Sequence, residues 1–141
     1  MTIHPPALVF KICPETIWRE AEKEGAFHGS GIDLEDGYIH FSTPDQVAET
    51  AWLHFNGVEG LMLVAVATDK VALTWEEARG GVMFPHLYAS LGMDQVLWAV
   101  AIPLGDNGQH VFPETIPPSP LIRRLNHLPD RSSLLLSLIH I

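Results

Sequence analysis

The chain has 141 residues, of which 47 % are hydrophobic, and this combination is typical of one domain with a substantial core. The 17 acidic and 8 basic residues give a formal net charge of −9. Because such an acidic chain repels phosphate groups and its sequence holds no dense run of lysine and arginine, we expect no nucleic-acid partner.

The N-terminal residues predict no targeting signal. Residues 1–6 have neither the basic region nor the long apolar region of a signal peptide. The longest apolar run, residues 61–67, is too short to cross the ~30 Å hydrocarbon layer of a membrane. The single cysteine, Cys13, excludes an intramolecular disulfide and a zinc site built from cysteines. These features predict a cytoplasmic protein without membrane contact.

The first two predicted elements are a strand over residues 8–13 and a helix that begins at Pro14. Proline suits the first turn of a helix, and Gly25 after Glu24 is a typical stop. The spacing predicts a buried stripe on this helix, formed by Ile17, Trp18 and Ala21. Residues 25–37 are rich in glycine and acidic side chains, which predicts an exposed loop.

A second strand is predicted over residues 38–42, followed by a helix with a capping-box start. Thr43 is the expected N-cap, Pro44 the first helical residue, and Gln46 the partner three residues after the cap. The pair Asn56-Gly57 predicts the end of the helix. Apolar residues recur at helical spacing and predict its buried face: Val47, Ala48, Ala51, Trp52 and Phe55.

The remaining predicted elements are strands. Residues 61–68 are continuously apolar and indicate a central strand buried on both faces. Shorter strands are predicted over 71–76 and 96–102, and a turn at 105–108 leads into a further strand over 109–112. Because helices come early and strands follow, the order favours an α+β fold over strict alternation.

The sequence predicts a single domain over residues 1–114 and a different C-terminal tail over residues 115–141. The tail is rich in proline and ends in a low-complexity run of serine, leucine and isoleucine. Two interpretations stay open, a partly cloning-derived extension and an authentic C-terminal helix.

Two short polar segments in apolar surroundings are the strongest functional signal, residues 37–43 and 84–88. Side chains two apart share a face of a strand, so Tyr38, His40 and Ser42 are expected on one face. By the same rule His86 and Tyr88 share a face. If the two segments meet, the result is a pocket with aromatic walls, which suits a planar, uncharged or cationic ring.

The other chemical patterns are weaker. No histidine has metal-ligand spacing, so no metal site is predicted. Ser42 lacks the surroundings of a serine nucleophile, and Cys13 has no local cue for thiolate activation. Among the paired carboxylates, Glu76 is the best candidate because it follows Trp75 at a predicted strand, where it could accept a ribose hydroxyl or act as a general base.

These residues resemble those of the DUF952 family, small bacterial proteins of unassigned function. The resemblance covers roughly residues 8 to 104. It is carried by the first strand, Trp18, residues 37–43, Gln46, Phe55 and residues 84–88.

The family is in turn similar in fold to the ADP-ribosyltransferases and the RNA 2′-phosphotransferases. This resemblance implies a split, two-sheet β core with two early helices, and a cleft that binds NAD. It implies that His40 and His86 orient the ligand or move a proton, that Ser42 binds the carboxamide, and that Tyr88 stacks on the ring. Tyr38 and Trp18 would then be walls of the cleft, with core packing as the alternative for Trp18.

The sequence also departs from those transferases. The first strand carries Lys11 where they have histidine or arginine, and no glutamate lies between Glu77 and Glu114. Three functions therefore stay open: a transferase acting on NAD or a related nucleotide, a non-catalytic module that binds a small molecule, and an interaction domain in which both histidines are core residues. The substrate and the oligomeric state are left open.

Overall fold

The computed structural model of the chain describes residues 5–116. Their helices are α1 (Glu15–Glu24), α2 (Ile32–Asp36) and α3 (Val47–Phe55). Their strands are β1 (Leu8–Pro14), β2 (Ala26–Phe27), β3 (Ile39–His40), β4 (Leu61–Ala67), β5 (Leu73–Glu77), β6 (Met83–Leu87), β7 (Leu91–Gly92) and β8 (Val96–Ala101). The strands pair antiparallel in three small sheets of order β1-β4-β8, β2-β7 and β3-β6-β5. This arrangement confirms the predicted α+β class.

Strand β4 is the centre of the largest sheet and is buried on both faces, as its apolar run predicts. Met62 and Val64 point into a first core, which also holds Trp18 and Phe27. The alternate side chains of β4 point into a second core, formed with α3 and the segment that follows β8. One strand therefore joins the two halves of the hydrophobic interior.

Helix α1 follows the predicted bounds closely. Pro14 immediately precedes it, and Gly25 ends it in the left-handed conformation with φ 86°, which glycine adopts without strain. Trp18 and Ala21 are buried as predicted. The prediction for Ile17 is wrong, because this side chain is 39 % exposed. One position along a helix turns a side chain by about 100°, so Ile17 lies at the edge of the stripe that Trp18 defines.

The predicted exposed loop over residues 25–37 is wrong in part, because residues 34–37 are exposed but the segment also contains a strand, a helix and buried side chains. Strand β2 pairs with β7, which places Phe27 in the first core, and α2 occupies residues 32–36. Asp33 in the first turn of α2 is 2 % exposed. The polar composition of this segment reflects buried polar contacts, which composition alone does not distinguish from solvent exposure.

Of the predicted capping box, the contact made by the Gln46 side chain is present and a contact from the Thr43 side chain is not seen, and the regular helix begins later than predicted. The Thr43 N–H donates to the Gln46 side-chain oxygen at 3.0 Å, and Val47 N–H donates to the Thr43 carbonyl oxygen at 3.0 Å. Residues 44–46 form a turn, and α3 starts at Val47. Four residues of the predicted stripe are buried: Val47, Ala48, Ala51 and Trp52.

The segment after β8 forms a turn over residues 105–108, as predicted, but not the predicted strand over residues 109–112. Leu104 and His110 form a single β-bridge that closes the turn, and Ile116 packs into the second core. The predicted tail lies outside the described residues from position 117 onward, and the predicted domain extent stays a prediction. None of the helices between residues 5 and 116 has the length and apolarity that a membrane crossing requires.

Candidate functional site

The register of β3 against β6 brings the two predicted histidines together. His40 lies directly opposite His86, and Ile39 lies opposite Leu87. Side chains that lie opposite each other share a face of the sheet, so both imidazoles are on one face while Ile39 and Leu87 enter the first core. The ring centroids of His40 and His86 are 5.2 Å apart in an edge-to-face arrangement.

Strand β5 adds a carboxylate to the same face. The Glu76 Oε1 atom lies 2.8 Å from His86 Nδ1 and accepts a hydrogen bond from the Tyr88 hydroxyl at 2.6 Å. Because a carboxylate only accepts hydrogen bonds, the proton of His86 lies on Nδ1. In the described part of the chain, no residue is seen to hydrogen-bond to His86 Nε2.

His40 is held by two carboxylates of α2. Asp33 Oδ1 lies 2.6 Å from His40 Nδ1 and also accepts the His40 backbone N–H at 3.0 Å. Asp36 Oδ2 lies 3.0 Å from His40 Nε2, a contact that becomes a hydrogen bond when the ring carries both protons. Both ring nitrogens of His40 are therefore engaged, in contrast to His86.

Asp33 also forms a buried ion pair beneath the site. Its Oδ2 lies 2.6 Å from Lys11 Nζ, with side chains 0 % and 7 % exposed. Burial alone would raise the pKa of Asp33, but the hydrogen bond from His40 and the charge of Lys11 lower it below its ordinary value. Burial lowers the pKa of Lys11 despite the opposing charge of Asp33.

The hydrogen bond between Tyr88 and Glu76 shifts the pKa values of both side chains. The hydrogen bonds from Tyr88 and His86 lower the pKa of Glu76, because they stabilise the carboxylate. The same bond to Glu76 raises the pKa of Tyr88 to about 12, since ionised Tyr88 loses its donor and faces a negative charge.

Tyr38 completes a cluster of aromatic rings, here called the ring cluster (Tyr38, His40, His86 and Tyr88). The Tyr38 ring stacks on His86 with centroids 4.2 Å apart, and lies 4.6 Å from His40 and 4.9 Å from Tyr88. His86 is 4 % exposed, whereas Tyr88 is 53 % exposed. The ring cluster therefore has a buried base at His86 and an open side at Tyr88.

Three of the predicted site residues lie outside the ring cluster. Ser42 bridges to Phe10 of β1, and its hydroxyl lies 3.0 Å from that of Thr50. The Phe41 N–H still donates to the Pro85 carbonyl oxygen of β6 at 3.0 Å, and at Ser42 the chain joins β1, so the Ser42 hydroxyl meets α3 rather than the two histidines. Trp18 is 1 % exposed and packs on Phe27, which agrees with its core alternative. Lys11 touches the site only through Asp33.

Sequence reasoning missed Asp33 and Asp36. The composition of residues 25–37 predicts an exposed loop for both, although acidic residues cluster shortly before His40 in the sequence. Helix α2 ends at its C-cap residue Gly37, whose φ of 83° lets the chain turn directly into the strand that carries His40. A helix of five residues is too short for periodicity to indicate it.

Beyond the ring cluster, the same face of β6 carries Phe84. With Gln46, Glu49 and Val82 it lines a shallow pocket of about 70 Å³. Within residues 5–116, no group of three histidine, cysteine or acidic side chains is arranged to hold a metal ion. The absence of a metal site stays a prediction for the chain.

Comparison with known proteins places the chain in a family. The model of the family described as "Protein of unknown function (DUF952)" matches residues 12–99, and the chain belongs to this family. The crystal structure of protein CC0527 from Caulobacter crescentus is similar, with 39 % sequence identity and a TM-score of 0.70 over 73 % of this chain and 92 % of that one. Its solution NMR structure gives 38 % identity and a TM-score of 0.66 over 73 % and 90 %. No curated protein matches the chain.

Proposed function

We propose that this member of the DUF952 family binds a small molecule with a planar ring at the ring cluster, and that His86 exchanges a proton with it. The observation that carries the proposal is the state of His86. Its Nδ1 is held by Glu76, and its Nε2 has no hydrogen-bond partner among the described residues. A histidine oriented in this way can accept or donate a proton at Nε2 at neutral pH.

The chemistry follows from the Glu76–His86 pair. When Nε2 of neutral His86 takes a proton from the ligand, the ring becomes an imidazolium, and the ligand keeps the electron pair of the broken bond. The adjacent Glu76 carboxylate stabilises the positive charge on the ring and fixes its orientation. Tyr88 shares the same carboxylate oxygen, which restrains Glu76 during the transfer.

The rings supply the binding surface. Tyr38 covers His86 by stacking, and exposed Tyr88 offers a wall for a flat ligand. The side chain of His40 is 28 % exposed, so solvent reaches the ring cluster. His86 is 4 % exposed, so only one of the two histidines is sealed, in contrast to an interaction domain in which both are core residues.

A transferase that acts on NAD or a related nucleotide, on an ADP-ribosyltransferase-like fold, is the second candidate. It is supported by the early chain order, in which the strand–helix units β1-α1 and β3-α3, separated by the short β2 and α2, precede the long apolar strand β4. In this case His40 would face the nicotinamide ring. The third candidate is a non-catalytic module that binds a small molecule at the same cleft. It is supported by the contacts that both ring nitrogens of His40 make with carboxylates.

Titration of the full chain with a set of planar heterocycles, followed by long-range nitrogen–proton NMR correlations of the imidazoles, tests the proposal. Transfer of a ligand proton to His86 places a proton on Nε2 as well as on Nδ1 and therefore moves the His86 nitrogen signals, and His86→Gln should weaken binding. The matched control is His28→Gln, because His28 lies at Ser90, outside the ring cluster. A ligand that binds without protonating His86 Nε2 would favour the non-catalytic module, and NAD as the best ligand would favour the transferase.

A further inference from the structure

We infer that the ligand of the ring cluster is a flat organic cation with N–H donors, of the protonated amino-heterocycle class. The inference rests on the proposed function, since it names the ligand class for the same site. It is drawn from three features together: the carboxylates at the rim, the exposed aromatic faces, and the location of the nearby lysine.

Two carboxylates border the open side of the ring cluster. The side chains of Asp36 and Glu76 are 37 % and 39 % exposed, and each contacts one of the histidines. Both retain oxygen atoms that can accept hydrogen bonds from a ligand. An anionic ligand that entered here would be repelled, and its desolvated charge would have no partner on these two side chains.

The one cation seen to contact the site is directed away from a ligand. The ammonium of Lys11 pairs with Asp33 and its side chain is 7 % exposed. The site has three carboxylates, those of Asp33, Asp36 and Glu76, against the single ammonium of Lys11. With His86 neutral, the net charge of the site is therefore negative whether His40 carries one proton or two. Elsewhere on the described surface, Arg19 and Lys23 pair with glutamates of α1.

Aromatic faces complete the recognition. The Tyr88 ring is more than half exposed and lies beside Tyr38, so a flat cation can stack on a π-face while its N–H groups reach the carboxylates. A pyrophosphate-bearing ligand such as NAD carries two negative charges, and no arginine or lysine of the described residues is seen to face the open side of the ring cluster to compensate them. The buried, partly unpartnered His86 lies at the base of this arrangement, with 4 % of its surface exposed.

Three isosteric probes separate the ligand classes: benzamidine, benzamide and benzoate are a cation, a neutral amide and an anion of nearly the same shape. We expect benzamidine to shift the imidazole NMR signals of His40 and His86 in the full chain, with an affinity on the order of tenfold above that of benzamide. Benzoate should cause no shift. Glu76→Gln and Asp36→Asn should each reduce the preference for benzamidine severalfold.

The control is Glu77→Gln, which removes the same charge one residue along β5, where alternation directs the side chain to the other face. It should leave the preference unchanged. If benzamide or benzoate binds at the histidines as well as benzamidine does, the cation inference is overturned while ligand binding at the ring cluster stands. If none of the probes nor the planar heterocycles shifts these signals, the proposed function fails as well.

Discussion

Asp33 joins the interior of the protein to the ring cluster, since its two oxygens contact Lys11 on one side and His40 on the other. Asp33→Asn would leave the Lys11 ammonium buried without its counter-charge. We expect this change to lower the free energy of unfolding by about 3–5 kcal/mol, measured by urea denaturation. Asp36→Asn is the control, because its half-exposed carboxylate should matter by less than about 1 kcal/mol.

The double variant Lys11→Met/Asp33→Asn keeps this prediction testable if Asp33→Asn does not fold. It removes the unpaired ammonium and should recover part of the lost stability. A double variant as unstable as the single one would contradict the ion-pair explanation.

The same contacts predict a dependence of stability on pH. The pKa of Asp33 is lower in the folded protein than its ordinary value, so the unfolded chain binds more protons as the pH falls through that ordinary value. The contribution of Asp33 is therefore complete at neutral pH and is lost as the pH falls through the folded pKa. Urea midpoints of the Asp33→Asn variant should show a weaker dependence on pH in the acidic range than those of the unmodified protein.

Tyr88 offers a direct measurement of the contact with Glu76. The chain has two tyrosines, so Tyr38→Phe leaves Tyr88 as the single phenol to titrate in the ultraviolet. We expect a pKa of about 12 in this variant, because the bond to Glu76 holds the phenol in its neutral form. Adding Glu76→Gln should bring the value down toward 10.0. An unchanged titration after the second substitution would show that Glu76 does not bind this hydroxyl.

At the scale of elements, α2 and β3 position the site although they are five and two residues long. Gly37 links them with φ 83°, and a Cβ there would meet no atom within 4 Å. Gly37→Ala should therefore destabilise the fold by about 1–2 kcal/mol through backbone strain alone. It should also shift the His40 imidazole signals, because the strain falls between Asp33 and His40.

Gly25→Ala is the matched control. Gly25 ends α1 with φ 86°, and a Cβ there also has open space, so the stability loss should be similar. The His40 and His86 signals should stay unchanged, since Gly25 contacts neither. Equal shifts in both variants would show that α2 does not position His40.

The long elements could be predicted from the sequence and the short ones could not. Strands β1 and β4 and helix α1 carry enough alternating or continuous apolar residues to be recognised. Strands β2 and β7 have two residues each, and their pairing depends on the tertiary fold. Ser42 shows the same limit within the site, because its bridge to Phe10 of β1 is set by the tertiary fold.

For the molecule as a whole, β4 couples the two cores. Met62 and Leu63 are neighbours in the chain, yet Met62 packs into the first core and Leu63 into the second. Met62→Ala and Leu63→Ala should each lower the free energy of unfolding by about 2–5 kcal/mol in a single cooperative transition. Leu97→Ala is the control, because this side chain is 55 % exposed and its loss should change stability by less than about 0.5 kcal/mol.

Two separate transitions in the urea denaturation of either core variant would contradict the view that β4 unites the cores.

The contact between His40 and His86 depends on the fold of the whole molecule. The sequence indicated each histidine and its strand, but the register that sets them opposite each other follows from how β6 sits between β3 and β5.

The protonation pattern of the imidazoles tests the central claim most directly. A long-range nitrogen–proton correlation spectrum of the full chain at neutral pH identifies which nitrogen of His86 carries the proton. We predict the Nδ1–H form, with Nε2 unprotonated, because Glu76 accepts from Nδ1. Glu76→Gln should weaken this preference. A proton found on Nε2 in the unmodified protein would contradict both the Glu76–His86 pair and the proposed proton exchange.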